Sequence, residues 1–138
     1  MYEFCTRRKI EFADTDMGGI VHFSRFMIFM ETAEHEFLEA IGTSVDLDLD
    51  GRKIGWPRVS VSCQYKSPAR FGETLQIHVR VLRKGDRSVT YGIDFSRDGQ
   101  PIASGEVTSV CCELVPGQPV RSIPIPESIR ARIEEFPR

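Results

Sequence analysis

The sequence predicts an α+β domain in which one curved antiparallel sheet wraps a single long helix. Three observations predict this class: the chain has the length of one domain, it contains one long helical pattern, and four alternating strand patterns follow that helix. At 138 residues we expect a single domain spanning residues 1–138. The apolar fraction of 41% together with 11 glycines is typical of a globular protein and excludes disordered and collagen-like chains.

The charge balance excludes several classes of partner. With 18 basic and 20 acidic residues the net charge is −2, so neither nucleic acid nor an anionic membrane is expected as the main partner. The N-terminus is charged from Glu3 onward and lacks the apolar core of a secretory signal. No apolar run approaches the ~18–20 residues that span a bilayer. We therefore expect a cytoplasmic protein.

The first half of the chain predicts a strand and then a helix. Residues 2–13 alternate loosely between apolar and polar side chains, which indicates a strand with one buried face. From Phe23 to Ile41 apolar residues recur at the helical spacings i, i+3, i+4 and i+7, which predicts an amphipathic helix of about five turns. Gly42 follows, where a helix commonly ends. The charged residues that alternate with these apolar positions are expected to form the solvated face of the helix. They are Arg25, Glu31, Glu34, His35 and Glu39.

The second half is predicted to be strands. Residues 43–55 are acidic and rich in turn-formers, which favours a loop or a partly ordered lid. Because short turn sequences join the strands that follow, we expect an antiparallel meander, which with the first strand gives a five-stranded sheet. The tail predicts an irregular strand-like stretch and a short helix near Pro126. The four alternating segments are residues 58–66, 74–83, 87–96 and 102–115.

The cysteines and histidines do not form metal-site patterns. The four cysteines lack CxxC spacing and lie in strand-like segments, which indicates reduced structural thiols. Adjacent Cys111 and Cys112 would point to opposite faces of a strand, which argues against a bond between them. His22, His35 and His78 lack the spacing of metal ligands, so no metal site is predicted.

The segment from Glu11 to Phe26 carries the candidate chemistry. Asp14 and Asp16 precede a glycine pair and the start of the helix. Such a carboxylate pair can simply form a turn before a helix, and this interpretation stays open. In the functional interpretation, the glycine pair lets the backbone approach a ligand, and the first helical turn presents unpaired N–H groups. A carboxylate beside donors that hold a developing oxyanion is a minimal acyl-transfer site.

The same residues resemble the 4-hydroxybenzoyl-CoA thioesterase family of hotdog-fold acyl-CoA thioesterases. The resemblance covers about residues 6–127 and rests on the segments DTDMGGIVHFSRF, WPRVSVSCQYKSPARFGETLQI and VLRKGDRSVTYGIDF. It implies an acyl-CoA thioesterase in which Asp16 is the nucleophile or general base. It also implies that the backbone amide of Phe23, with the backbone from Gly19 onward, polarises the thioester carbonyl. A homodimer or a dimer of dimers, with sites at the subunit interface and no cofactor, is implied too.

Other residues near the motif and in the sheet are weaker candidates. His22 could orient water or contact the acyl group, or it could cap the helix. The resemblance places contacts to coenzyme A phosphates around the basic turn of Arg83, Lys84 and Arg87, which could equally be solubilising charges. Arg70 is a further candidate. Trp56 could line the acyl pocket or fill the core.

Several functional alternatives remain open at the sequence level. Glu31 and Glu34 are alternative acids, because some hotdog thioesterases take their carboxylate from the central helix. A hotdog dehydratase or hydratase and a non-catalytic acyl-CoA-binding module are rival functions. Ser24 lacks a GxSxG context, which argues against a serine hydrolase. The acyl group is either aromatic or short to medium aliphatic, and the sequence does not choose between them.

Overall fold

The computed structural model describes all residues 1–138. A strand, a single 3-10 turn (Phe12–Asp14) and the long helix come first in the chain, and further strands and a short helix follow. The two helices are α1 (Arg25–Ala40) and α2 (Glu127–Arg130). The strands are β1 (Glu3–Lys9), β2 (Leu47–Leu49), β3 (Arg52–Gly55), β4 (Arg58–Tyr65), β5 (Thr74–Lys84), β6 (Ser88–Arg97), β7 (Gln100–Val110), β8 (Cys112–Glu113) and β9 (Arg121–Ser122).

The main sheet has five antiparallel strands in the order β1-β5-β6-β7-β4. The five-stranded sheet is confirmed, but the expectation of a simple meander is wrong for β4. Strands β5, β6 and β7 form a meander, whereas β4 pairs with β7, with Val61 opposite Val107. The chain therefore crosses one end of the sheet between β4 and β5. Alternation of side chains specifies the buried face of a strand but not its neighbour, which is why the pattern did not reveal this crossover.

Helix α1 packs on the concave face of this sheet. It is shorter than predicted and begins at Arg25, while Gly42 lies beyond its end with a φ of +84°. The prediction that the charged helix residues share a solvated face is wrong for Glu34, which is fully buried. Its carboxylate is accommodated because Ser109 and Arg58 donate hydrogen bonds to it. The buried residues of α1 are Phe26, Phe29, Met30, Ala33, Glu34, Phe37 and Leu38.

A second, smaller sheet replaces the loop or lid that the sequence predicted for residues 43–55. Its four strands have the order β2-β3-β8-β9. Asp50 and Gly51 connect β2 to β3 with φ angles of +52° and +76°, the left-handed conformation of a tight hairpin turn. The predicted fourth strand, residues 102–115, is interrupted at Cys111 because Cys112 leaves the main sheet to pair with β3. The predicted short helix near Pro126 is present as α2.

The two ends of the main sheet hold different parts of the predicted site. The segment that follows β1 lies at the Thr74 end of β5, because the Ile10 amide donates to the Glu73 carbonyl. The basic turn between β5 and β6 lies at the Lys84 end, about 33 Å away along an eleven-residue strand. Neither helix combines the length and apolar composition needed to cross a membrane.

Candidate active site

Asp14 anchors the segment that precedes α1. Its side chain is 1% exposed, and its Oδ1 accepts hydrogen bonds from Arg25 Nε at 2.9 Å and Nη2 at 2.7 Å. Its Oδ2 accepts the Glu11 amide at 2.8 Å, and its carbonyl oxygen accepts the His22 amide at 2.9 Å. Arg8 lies 3.7 Å from Oδ1. The first carboxylate of the motif is therefore a buried structural centre rather than a group open to substrate.

Asp16 lies on a narrow loop that this arrangement closes. Thr15 and Val21 form an antiparallel bridge, and the Asp16 amide donates to the Ile20 carbonyl at 2.9 Å. The Asp16 side chain is exposed, and its Oδ1 accepts the Gly18 amide at 2.8 Å, which leaves Oδ2 without a partner in the chain. Gly19 has a φ of +76°, as the motif predicted for this glycine pair. The loop thus fixes Oδ1 of Asp16 by a hydrogen bond and leaves Oδ2 open to solvent or substrate.

The backbone between Gly19 and the head of α1 has two unpaired donors, the amides of Ile20 and Phe23. The amides of Gly19, Val21 and His22 all donate to backbone carbonyls, so these three are already used. The Phe23 amide donates to no acceptor in the chain. The Phe23 carbonyl accepts a hydrogen bond from Tyr65 Oη at 2.9 Å. Of the predicted oxyanion donors, the Phe23 amide is available whereas the Gly19 amide is not.

The His22 side chain is bonded to Ser24, the residue just before α1, and does not line a pocket. Its Nδ1 is 2.8 Å from Ser24 Oγ and accepts the Ser24 amide at 3.3 Å. Its ring stacks on Phe23, with centroids 4.6 Å apart. Because the ring is bonded to the residue just before the helix, it contributes to how α1 begins, and it lines neither of the depressions described next.

Asp16 and Phe23 line two neighbouring depressions rather than one shared cavity. The first, about 510 Å³, is lined by Asp16 and Gly19 together with the apolar side chains of Phe12, Met17 and Phe71 and with Thr15. The second, about 440 Å³, is lined by Ile20, Phe23, Phe26, Tyr65, Lys66, Ser67, Pro68 and Ala69. Consecutive residues Gly19 and Ile20 contribute to one each, so the loop backbone is the ridge between them.

The basic residues predicted to bind substrate do not lie at the end of the main sheet where Asp16 lies. Lys84 Nζ donates to the carbonyls of Arg130 and Ile133, at 3.4 and 2.8 Å, near the end of α2. Arg87 donates to the Ser122 carbonyl at 2.8 Å, whereas Arg83 is exposed and forms no ion pair.

Two other basic residues lie beside the loop instead. The Arg70 guanidinium is 3.9 Å from where a Cβ on Gly19 would lie, and Lys66 lines the Phe23 depression. Long-range pairing brings Arg70 to the loop, because Ile20 forms an antiparallel bridge with Arg70. The same bridge lies next to Phe71, whose ring contacts Phe12 with the ring centroids 6.2 Å apart.

The remaining candidates have structural roles or lie elsewhere. Trp56 is 2% exposed and belongs to the core, so the interpretation as an acyl-pocket residue is not supported. Burial raises the pKa of the Glu34 carboxyl, which the positive charge of Arg58 and the hydrogen bond from Ser109 partly offset. With no exposed oxygen, Glu34 is not open to a substrate. Glu31 is half exposed and lies 3.5 Å from Arg58.

Comparisons with known proteins agree with this architecture. A model of the thioesterase-like superfamily matches residues 10–133. The 1,4-dihydroxy-2-naphthoyl-CoA hydrolase of Synechococcus elongatus is 24% identical over 131 residues, which is 94% of each chain. The structure of a gentisyl-coenzyme A thioesterase superposes with a TM-score of 0.83 at 30% identity, over 94% of this chain and 98% of that one. A 1,4-dihydroxy-2-naphthoyl-CoA thioesterase from Synechocystis superposes with a TM-score of 0.80 at 21% identity, over 94% of both chains.

The match to the superfamily begins directly after β1 and covers the Asp16 loop, all of α1 and every strand of the main sheet except β1. A relative at 30% identity over almost the whole chain shares the same arrangement. The chain therefore belongs to the thioesterase-like superfamily, and it is a thioester hydrolase with the hotdog fold.

Proposed function

We propose that the protein is an acyl-CoA thioesterase in which Asp16 supplies the catalytic carboxylate and the Phe23 amide polarises the thioester carbonyl. One observation carries this proposal: the loop presents an unbonded oxygen of Asp16 within a few residues of an unpaired backbone donor at the head of α1. An exposed carboxylate can attack or deprotonate, and an unpaired amide at a helix N-terminus can stabilise an oxyanion.

The reaction can follow one of two courses at this carboxylate. In the first, Asp16 Oδ2 attacks the carbonyl carbon and expels the coenzyme A thiolate, and water then hydrolyses the mixed anhydride. In the second, Asp16 takes a proton from the water that attacks the same carbon. A single turnover in ¹⁸O water tests for direct attack, because the label enters the Asp16 side chain only when water opens a mixed anhydride at the aspartyl carbon. The thioester oxygen becomes negatively charged in both courses, so both need the Phe23 amide.

Aromatic acyl groups are the first substrates to test. Two relatives carry names that refer to aromatic acyl-CoA esters, 1,4-dihydroxy-2-naphthoyl-CoA and gentisyl-CoA. In this chain the depression beside Asp16 is lined by the exposed side chains of Phe12, Phe71 and Met17, which suit a flat apolar group. Short and medium aliphatic acyl-CoA esters remain the second class.

We further propose that the working unit is a homodimer, or a tetramer built from two dimers. Strand β4 is an edge of the main sheet, and its side chains Val59, Val61 and Tyr65 are 63%, 43% and 47% exposed. Met27 and Ile28 of α1 are exposed as well. An open edge with apolar side chains is normally covered, and a second copy paired along β4 would cover it.

This assembly gives the distant basic turn a role. A two-fold interface runs the two β4 strands antiparallel, which brings the partner's β5–β6 turn to the end of the sheet where Asp16 lies. Arg83 would then be available to the coenzyme A phosphates from the second copy, with Arg70 and Lys66 supplied by the first. Lys84 and Arg87 are left with their internal hydrogen bonds in this arrangement. Sedimentation analysis tests the dimer, since a monomer at assay concentrations contradicts it.

The experiment that tests the proposed function is a panel of acyl-CoA thioesters assayed for release of free coenzyme A. The panel includes dihydroxynaphthoyl, gentisyl and aliphatic esters, with wild type and Asp16→Asn compared on each. We expect at least one substrate to be hydrolysed, and kcat to fall by at least about 10³-fold in the variant, which keeps the side-chain volume but not the charge.

The matched control is Asp48→Asn, because Asp48 is also an exposed aspartate but lies on the small sheet. Its kcat should equal that of wild type. If Asp16→Asn loses less than about tenfold, the assignment of Asp16 is wrong and Glu31 becomes the next acid to replace. If wild type binds acyl-CoA but hydrolyses no ester, the protein is a binding module.

A further inference from the structure

Asp14 is the buried carboxylate next to the loop, and none of its atoms faces the depression that contains Asp16. Buried carboxylates are rare and are retained when they are paired and hydrogen-bonded. A simple turn would need only the bond between the Asp14 carboxylate and the nearby Glu11 amide, but Asp14 also bonds to His22 and Arg25. Its side chain and backbone connect three separate pieces of chain: the end of β1, both ends of the Asp16 loop, and the first residue of α1.

The contact with α1 fixes the helix relative to this segment. Arg25 is the first residue of the helix, and two of its guanidinium nitrogens lie 2.9 and 2.7 Å from Asp14 Oδ1. A guanidinium that donates twice to one oxygen is held in direction as well as in distance. The helix cannot slide or turn at its N-terminus without breaking these bonds.

The contacts with the loop fix its two ends. The His22 amide donates to the Asp14 carbonyl at 2.9 Å, which closes the loop that contains Asp16. The other carboxylate oxygen accepts the Glu11 amide at 2.8 Å, just after β1. A loop closed at its base and bonded at its start keeps the direction of the side chains that it carries.

We propose that Asp14 is a positioning residue for the hydrolytic reaction, which sets the separation of the Asp16 carboxylate from the Phe23 amide. The inference rests on the proposed function, because it assigns Asp14 an effect that passes through Asp16. The Asp16 carboxylate lies on the loop and the Phe23 amide at the head of the helix, and Asp14 is hydrogen-bonded to the loop through the His22 amide and to the helix through Arg25. Displacement of a catalytic group by about 1 Å can cost about 10²-fold in rate.

The test compares Asp14→Asn, Asp16→Asn and the double variant with wild type, on whichever acyl-CoA ester the panel identifies. Asparagine keeps an oxygen for Arg25 but loses the charge and one of the two acceptors. We expect kcat of folded Asp14→Asn to fall by about 10²-fold, with KM within about threefold of wild type. In the Asp16→Asn background the same substitution should change the remaining kcat by less than about threefold, because the group that it positions is gone.

Asp94→Asn is the control for the loss of an arginine-bonded carboxylate outside the site. Asp94 is likewise bonded to an arginine and to a neutral donor, with Arg80 and Ser104 each 2.8 Å away, but it lies on β6 and is 42% exposed. It should leave kcat unchanged. Circular dichroism and urea unfolding establish that each variant is folded under assay conditions.

The outcomes separate this inference from the proposed function. A folded Asp14→Asn with kcat within about twofold of wild type, alongside an inactive Asp16→Asn, overturns the positioning role alone. Full additivity of the two substitutions also overturns it, since Asp14 would then act independently of Asp16. If Asp16→Asn itself remains active, both proposals fall. Should Asp14→Asn not fold, Arg25→Lys replaces it: we expect about a tenfold lower kcat, and an unchanged kcat overturns the inference.

Discussion

Tyr65, the last residue of the edge strand β4, donates a 2.9 Å hydrogen bond from its hydroxyl to the carbonyl oxygen of Phe23. The bond connects the strand proposed to form the dimer interface with the residue whose amide is proposed to polarise the substrate. Restraining the carbonyl of Phe23 also restrains the backbone angles of that residue, and with them the direction of its amide. The geometry of the oxyanion donor therefore depends on the edge strand.

Replacing Tyr65 by phenylalanine should lower kcat by up to about tenfold with a smaller change in KM, because one hydrogen bond that restrains the backbone of Phe23 on the carbonyl side of its donor amide is lost. Steady-state kinetics on the identified ester measure both constants. Tyr2→Phe is the control, since the Tyr2 hydroxyl makes no hydrogen bond and its ring packs on Phe136. Equal kinetics in the two variants would show that the Tyr65 hydroxyl does not orient the donor.

Replacing Gly19 by alanine should lower both stability and turnover. Its φ of +76° costs an L-residue about 1–2 kcal/mol, and the strain falls on the loop that holds Asp16. Gly117 is a closely matched control because it has the same φ and open space around its missing Cβ. We expect urea unfolding to show similar destabilisation for the two alanine variants, and kinetics to show a loss only for Gly19→Ala. A similar loss of turnover in Gly117→Ala would mean that general strain, not the loop, is responsible.

Glu34 should make the stability of the protein depend on pH. Burial raises the pKa of its carboxyl above the ordinary value of 4.5. The carboxyl therefore binds its proton more tightly in the folded state than in the unfolded state. The stabilisation is complete below about pH 4.5 and is lost as the pH rises through the raised folded pKa. We therefore expect the free energy of unfolding of wild type, relative to Glu34→Gln, to decrease from pH 4.5 upward. Urea titrations of both proteins across this range provide the measurement, and an increase with pH would contradict the direction of the shift.

The four thiols should differ widely in reactivity. Burial raises the pKa of Cys111 to about 11, and it also raises the pKa values of Cys112 and the half-buried Cys63. At pH 7.5 only roughly 0.03% of a thiol with such a pKa is ionised, and the thiolate is the reactive form. Cys5 is exposed on β1. We expect one fast-reacting thiol with a disulfide reagent in the native protein and four after unfolding.

Mass spectrometry after brief alkylation identifies the reacting residue. The fast phase should disappear in Cys5→Ser, whereas Cys111→Ser should leave it unchanged. Rapid labelling of Cys111 in the native state would show that its segment opens readily, contrary to its burial. The same variant, Cys5→Ser, also removes the background from a coenzyme A release assay that detects free thiols.

Local pattern was sufficient for the elements whose spacing is set by their own residues. The helical series from Phe26 to Phe37 predicted α1, and alternation predicted the long strands, because one face of each must be buried against the core. The helix start was placed two residues early because the apolar spacing already begins at Phe23, whereas the hydrogen bonds between His22 and Ser24 hold the chain in a turn before Arg25. The pairing of β4 with β7 was missed because the neighbour of a strand depends on how the other strands of the sheet are arranged, which side-chain alternation does not show.

For the site, local sequence was enough to show that a carboxylate, a permissive glycine pair and a helix start fall within one short segment, which is the arrangement proposed for the hydrolytic reaction. The burial of Asp14 and the exposure of Asp16 became visible in the folded chain alone, because the two carboxylates look alike until Arg25 and the Glu11 amide close around one of them. The same folded arrangement places Arg70 beside the loop and the Arg83 turn far from it. These positions arise from long-range strand pairing, which involves residues too distant in sequence for local spacing to encode.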